Sequence, residues 1–125
     1  MKLSEKEFDK VVRRAVNRIP KPIRRHLKNV LITVRKRPPR DMLEELGIPP
    51  DEPLPLGLYV GASLLERSET QPPLYPDSIF IFQEPLEEMC GTVEELERQI
   101  EITVVHEVAH FIGIDDARLA ELGYD

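Results

Sequence analysis

Ten of the twelve prolines in this 125-residue chain fall between residues 38 and 85. Proline fixes its own φ, donates no backbone hydrogen bond and disfavours helix in the residue before it. Long helices are therefore confined to the two flanks, and the middle of the chain is left with short strands, single helical turns and loops. Both flanks carry helix signals. Ser4-Glu5-Lys6-Glu7 has the form of a capping box. Phe8, Val11, Val12, Ala15, Val16 and Ile19 then recur at helical spacing, so residues 5–18 read as an amphipathic helix that Pro20 and Pro22 end. Pro22 suits the first turn of a short helix through Leu27. Thr92-Val93-Glu94-Glu95 is a second capping box and opens the longest helical pattern, residues 93–112. Val93, Leu96 and Ile100 line one face of its first half, while its second half is apolar almost all round, from Val104 and Val105 through Val108 and Ala109 to Phe111 and Ile112. Such a helix runs from the surface into a core. Gly113 supplies its left-handed stop, and residues 117–122 can form one more short helix before Gly123.

Between the flanks, Val30–Arg35 alternates and is β-branched, Gly57–Gly61 reads as a short strand flanked by prolines, and Ile79–Phe82 as a more buried one. Arg40 to Leu46 can make one or two helical turns, and Glu66 to Asp77 is a polar, Pro-rich loop containing Arg67. The expected fold class is α+β, a single domain over residues 1–125 with the three strands in one small mixed sheet. No apolar run nears the roughly 20 residues of a membrane span. The N-terminal sequence has no signal-peptide apolar block, and a single cysteine, Cys90, precludes an internal disulfide. A cytoplasmic setting with no membrane partner is the expectation. Cys90 itself reads as buried and inert.

Charge is unevenly spread. Residues 1–40 hold 14 of the 17 Lys and Arg and three acids, a balance of +11; the remainder carries −17. A basic segment is compatible with nucleic acid, but no RNA-binding motif and little aromatic interleaving accompany it, so nucleic acid is not the expected partner. The simpler reading sets this segment against the acidic remainder or leaves it as a solvated helix face. His26, among arginines, reads as solvent-facing.

The chemistry concentrates in HEVAHFIGIDD, residues 106–116. His106 and His110 are four residues apart and project from one helix face, so one ion can be held by both. Glu107 is rotated about 100° from His106. It can stand beside the ion without ligating it and take a proton from the attacking water. The composition predicts roughly 0.009 chance matches to H-E-x-x-H in a chain like this, so the motif calls for a physical reason. Three buried polar side chains on an apolar helix cost several kcal/mol, of order 2–7 each, unless each is paired. Metal ligation would pair them, and Zn²⁺ suits two imidazoles and a carboxylate. The bland alternative is a pair of histidines bonded to backbone with Glu107 in an ion pair.

A catalytic zinc needs a third protein ligand. The chain turns at Gly113, and Asp116 follows three residues later, giving H-E-x-x-H-x-x-G-x-x-D. This is similar to the metzincin signature, with aspartate in place of its last histidine. The sequence VVHEVAHFIGIDDARLAELG, and more weakly GLYVG and IFIFQ, resembles the small bacterial zincin-like metallopeptidases. The resemblance implies a zincin-like fold, with a small mixed sheet packed against an N-terminal helix and a long active-site helix. It also implies a zinc metallopeptidase acting on a peptide or protein substrate. His106 and His110 would be ligands, Glu107 the general base and Asp116 the third ligand. Two residues compete with Asp116: Asp115, which could instead cap the following helix or hold a histidine from outside the ligand shell, and Glu121 on the next turn. The resemblance further implies that Gly57–Gly61 is an antiparallel edge strand able to pair with an extended substrate, where Tyr59 could hydrogen-bond it. In a small sheet Tyr59 is otherwise a packing residue, as is Tyr124 near the C-terminus. Metzincins carry a methionine turn after the metal motif; here no methionine follows Met89. A second class of function therefore stays open, a non-catalytic zincin-fold module that binds a partner or nucleic acid through its basic N-terminal segment.

Overall fold

The computed structural model describes residues 1–49, 51–61 and 77–124. The loop expected at Glu66 to Asp77, with Arg67, lies outside the described residues except for Asp77, which opens a strand. Helix α1 spans Glu5–Arg18 and has the expected capping box: Glu7 N–H donates to Ser4 Oγ, and Ser4 N–H donates back to the Glu7 carboxylate. Its buried residues are Phe8, Val11, Val12 and Ala15, the predicted face. The helix stops at Ile19, held extended by the following Pro20. A four-residue helix α2, Lys21–Arg24, and a 3-10 turn, Arg25–Leu27, lead to strand β1, Val30–Arg35. Helix α3, Arg40–Glu45, follows; then come β2, Gly57–Val60, and β3, Asp77–Phe82.

The sheet has the order β1-β3-β2. β3 pairs parallel with β1, Ile32 opposite Ile79, and antiparallel with β2, Tyr59 opposite Ile79. The sheet is therefore mixed and β2 is an antiparallel edge. β3 lies in the centre and is buried from Ser78 to Phe82, as a central strand must be.

Helix α4, Gln83–Met89, continues directly from β3. The sequence reading assigns no element to this stretch, which contains Pro85. That proline sits in the first helical turn, where its missing N–H has no intrahelical partner to lose. Helix α5, Val93–Ile112, is the long one, and Gly113 ends it at φ 84°. Its cap departs in one detail. Thr92 Oγ1 accepts from Glu95 N–H as expected, but the Glu95 carboxylate accepts from Gly91 N–H, one residue before the position a reciprocal box uses. Helix α6, Asp116–Glu121, closes the described chain.

The core lies between α1, α5 and the sheet, and contains Phe8, Ile19, Ile79, Ile81, Leu96, Ile100, Val104, Val105 and Val108. Cys90 is buried as expected, and burial pushes its thiol pKa up. His26 is exposed. Part of the basic segment does lie on acids of α5: Arg14 and Arg18 donate to Glu97 at 2.7 and 2.8 Å. Among the described residues no helix is long and apolar enough to cross a membrane.

Candidate metal centre and active site

Two features of the fold bring β2 against the last turns of α5. One is Gly57. A Cβ there would stand 2.8 Å from Thr103 Cγ2 and 2.9 Å from the Phe80 carbonyl oxygen. Only a residue without a side chain lets the strand approach the helix this closely. The other is spacing: Thr103 and Glu107 lie on one helix face, and Gly57 and Tyr59 on one side of the strand. The contact at Gly57 and Thr103 therefore sets Tyr59 against Glu107. There the Tyr59 N–H donates to Glu107 Oε1 at 2.8 Å. The Tyr59 hydroxyl donates to Asp77 Oδ2 at 2.7 Å, and its ring stacks on Phe111 with centroids 4.1 Å apart.

Burial raises the Glu107 pKa above the ordinary carboxylate value, opposed by the Tyr59 N–H and by the two histidines. A carboxylate with a raised pKa, one oxygen oriented by a backbone donor and no lysine or arginine bonded to it among the described residues, is poised to exchange a proton. Burial, together with Asp77, also pushes the Tyr59 phenol well above its usual range.

His106 and His110 lie one turn apart with ring centroids at 6.1 Å and planes at 73°. They differ in partners. His110 Nε2 stands 3.6 Å from Asp116 Oδ1. Two ligands of one tetrahedral zinc, each about 2.0–2.2 Å from it, are separated by roughly 3.3–3.6 Å, so this pair has the spacing of two atoms that share an ion. Both side chains are well exposed, which is compatible with ion entry. His106 Nε2 instead donates to the Tyr124 carbonyl at 2.5 Å. Among the described residues no three His, Cys, Asp or Glu side chains converge closely enough to hold an ion together. Imidazole, imidazole and carboxylate are fit donors for zinc. For all three to share one ion through the same ring nitrogens, His106 would have to leave the Tyr124 carbonyl.

Of the two aspartates, Asp115 is the cap: its side chain accepts from Arg118 N–H at 2.8 Å. Glu121 is bonded to Arg118 at 2.8 Å, facing its own helix. Tyr124, expected to pack, is buried and does more than pack. Its hydroxyl donates to Glu101 at 2.7 Å, its ring lies under Arg98, and Arg98 donates to the Gly123 carbonyl. Burial pushes its pKa up to about 12. These bonds strap the C-terminal turn across α5 and set its carbonyl on His106. Sequence reasoning missed this contact because 18 residues and two turns separate the partners. It also missed Phe111, expected in the core and found 59% exposed. Phe111 is four residues after Glu107, and that interval was the available signal for a place beside the site.

Residues 27–124 match the family described as zincin-like metallopeptidase. The chain belongs to that family. Among solved structures, a conserved hypothetical protein from Thermus thermophilus is similar in fold, with a TM-score of 0.57 and 20% identity. The likeness covers 98% of this chain and 100% of that one. No curated protein matches. The matched zincin-like region runs from the end of the 3-10 turn to Tyr124, so it takes in the sheet, α5 and the C-terminal strap, and leaves out all of α1.

Proposed function

We propose that this zincin-like domain is a zinc-dependent metallopeptidase, with Glu107 as general base. The observation that carries the reading is the state of Glu107: desolvated, oriented by the Tyr59 N–H, and one residue from His106 on the same helix. His106, His110 and Asp116 would hold the metal, with Asp115 as helix cap. Zinc, when bound, lowers the pKa of water towards 7 and polarises a carbonyl. The remaining work belongs to the chain. Glu107 takes the proton of the attacking water on a carboxylate oxygen and returns it to the leaving amine. Edge strand β2 offers backbone groups along which an extended peptide can lie. α5 and β2 together keep the base from swinging away.

The experiment is metal analysis of the purified chain, then a peptide-library digest with and without chelator. Zinc at one equivalent and chelator-sensitive cleavage are expected. Absence of both would overturn the reading. One observation favours a second reading, a non-catalytic module that binds a partner or nucleic acid through its basic N-terminal segment: His106 is engaged by the Tyr124 carbonyl. That reading expects no cleavage by wild type, and binding that weakens steeply with salt if the partner is nucleic acid.

A further inference from the structure

Phe111 breaks the burial pattern of its own helix. Val108 and Ala109 are each 1% exposed, whereas Phe111 is 59% exposed. A single exposed phenylalanine is ordinary on a protein surface. Its surroundings are not. The ring lies nearly parallel to that of Tyr59, at an interplanar angle of 13°. Tyr59 is itself held at three points, by Phe111 through its ring, by Asp77 through its hydroxyl and by Glu107 through its N–H. One residue thus ties an exposed aromatic pair to the carboxylate proposed to do the chemistry. Phe111 is also the residue after His110 and lies one helical turn beyond Glu107.

We propose that Phe111, stacked on Tyr59, is the specificity-determining residue of this site, and that it takes an apolar, preferentially aromatic, side chain of the peptide residue beside the scissile bond. The proposal deepens the peptidase reading and rests on it for its biological meaning. Its physical basis is separate. The open face of Phe111 offers a flat apolar surface, and aromatic partners pack on such a ring offset or edge-on. Because the ring is already stacked, ordering it costs a ligand little. An extended peptide along β2 sets one side chain beside Tyr59 on the same face, where the ring pair can receive it. An acidic side chain would meet the Glu107 and Asp77 carboxylates instead, and like charges disfavour it.

The test separates binding from cleavage. The zinc-loaded Glu107→Gln chain is titrated with labelled alanine-based peptide amides that carry one variable residue, Phe, Leu, Ala or Glu, and binding is read by fluorescence anisotropy. The Phe peptide should bind more tightly than the Ala peptide by roughly 3- to 10-fold, the range expected for one aromatic contact, with the Glu peptide below the Ala peptide through the Asp77 carboxylate that this variant keeps. Adding Phe111→Ala should bring the Phe-to-Ala ratio close to one. Phe111→Leu, which keeps an apolar surface without a ring, should bind the Leu peptide more tightly than the Ala peptide and leave the Phe preference reduced. Tyr59→Phe, which keeps the stack and loses only the bond to Asp77, should keep the ratio. An unchanged ratio in Phe111→Ala, or no binding of any peptide, overturns the subsite. Should Phe111→Ala fail to fold, an unchanged Phe preference in Phe111→Leu overturns it equally. Wild-type chain digesting the same peptides reads the other question. Phe111-dependent binding without any cleavage would sink the peptidase reading and keep the subsite. Cleavage indifferent to Phe111 would sink the subsite and keep the peptidase.

Discussion

Glu97 and Glu107 are the same residue type on the same helix, and their surroundings push them in opposite directions. Glu97, on the first half of α5, accepts from Arg14 and Arg18 of α1, and those bonds hold its carboxyl below the ordinary range. Glu107, three turns further on, is bonded to no lysine or arginine among the described residues; it has one backbone N–H and a half-buried setting, and its pKa rises. The first arrangement fastens two helices. The second keeps a carboxylate incompletely compensated beside two imidazoles, an expensive state that a purely structural site does not need. The contrast separates the end of α5 that holds the fold together from the end on which the proposed chemistry depends.

The largest effect should come from the uncompensated end. Glu107→Gln should lower any peptide hydrolysis by roughly 10²- to 10⁴-fold, the usual contribution of a general base, while zinc stoichiometry stays that of wild type. Paired digest and metal analysis check this, and equal activity would dissolve the distinction between the two glutamates. The same substitution should leave chelator-treated protein no less stable near neutral pH, because it replaces a desolvated charge with a neutral group of the same shape.

Next in size are the candidate ligands. His106→Ala and His110→Ala should each lose most of the metal. Asp116→Ala should weaken zinc by well over the roughly 10- to 100-fold expected of an outer-shell residue. Asp115→Ala should instead cost about 1 kcal/mol of stability through the lost cap at Arg118 N–H. Competitive chelator titration and thermal melts distinguish the two aspartates. Wild-type affinity in Asp116→Ala would remove it from the site.

Gly57→Ala probes how β2 is held to the helix. The added Cβ meets the Phe80 carbonyl, which is backbone and cannot swing away, so β2 must shift. A loss of about 1–3 kcal/mol is expected from overpacking, with a fall in activity as the Tyr59 N–H leaves Glu107. A fully active, equally stable variant would show that the close approach does not position the base.

Smallest is the paired end. Glu97→Gln should cost at most about 1 kcal/mol, because its arginine partners are half exposed and solvent screens the pairs. Its pH dependence has a definite sign. A carboxyl whose folded-state pKa is lowered contributes stability above its unfolded pKa, about 4.3, and that contribution is lost as pH falls through the lower folded value. The difference between wild type and Glu97→Gln in thermal melts should therefore be present at about pH 6 and fade on acidification below about pH 4.

Local rules reached much of this protein from its residues alone. Ser4 with Glu7, Thr92 with Glu95 and Gly113 mark helix ends through bonds that close within a few residues, so they were legible in order along the chain. The i, i+4 spacing of His106 and His110 follows from helix geometry and needs no partner. The alternation of β1 and the buried run of β3 predicted strands, while the edge place of β2 came from the zincin resemblance, which its flanking prolines suit. The helix around Pro85 was not legible because a proline inside a helix and one in its first turn look alike until the start of the helix is known. What only the tertiary structure decided is everything that rests on distance across the chain. Gly57 against Thr103, the Tyr59 N–H on Glu107, Phe111 turned out onto Tyr59, and the Tyr124 carbonyl on His106 join residues 18 to 52 positions apart or on separate elements. Periodicity tells which face of a helix is apolar, but not which surface meets that face or where the covering ends. At the C-terminal end of α5 the cover is a four-residue edge strand and a short strap, so an apolar face that the sequence alone would bury entirely leaves Phe111 and His110 exposed.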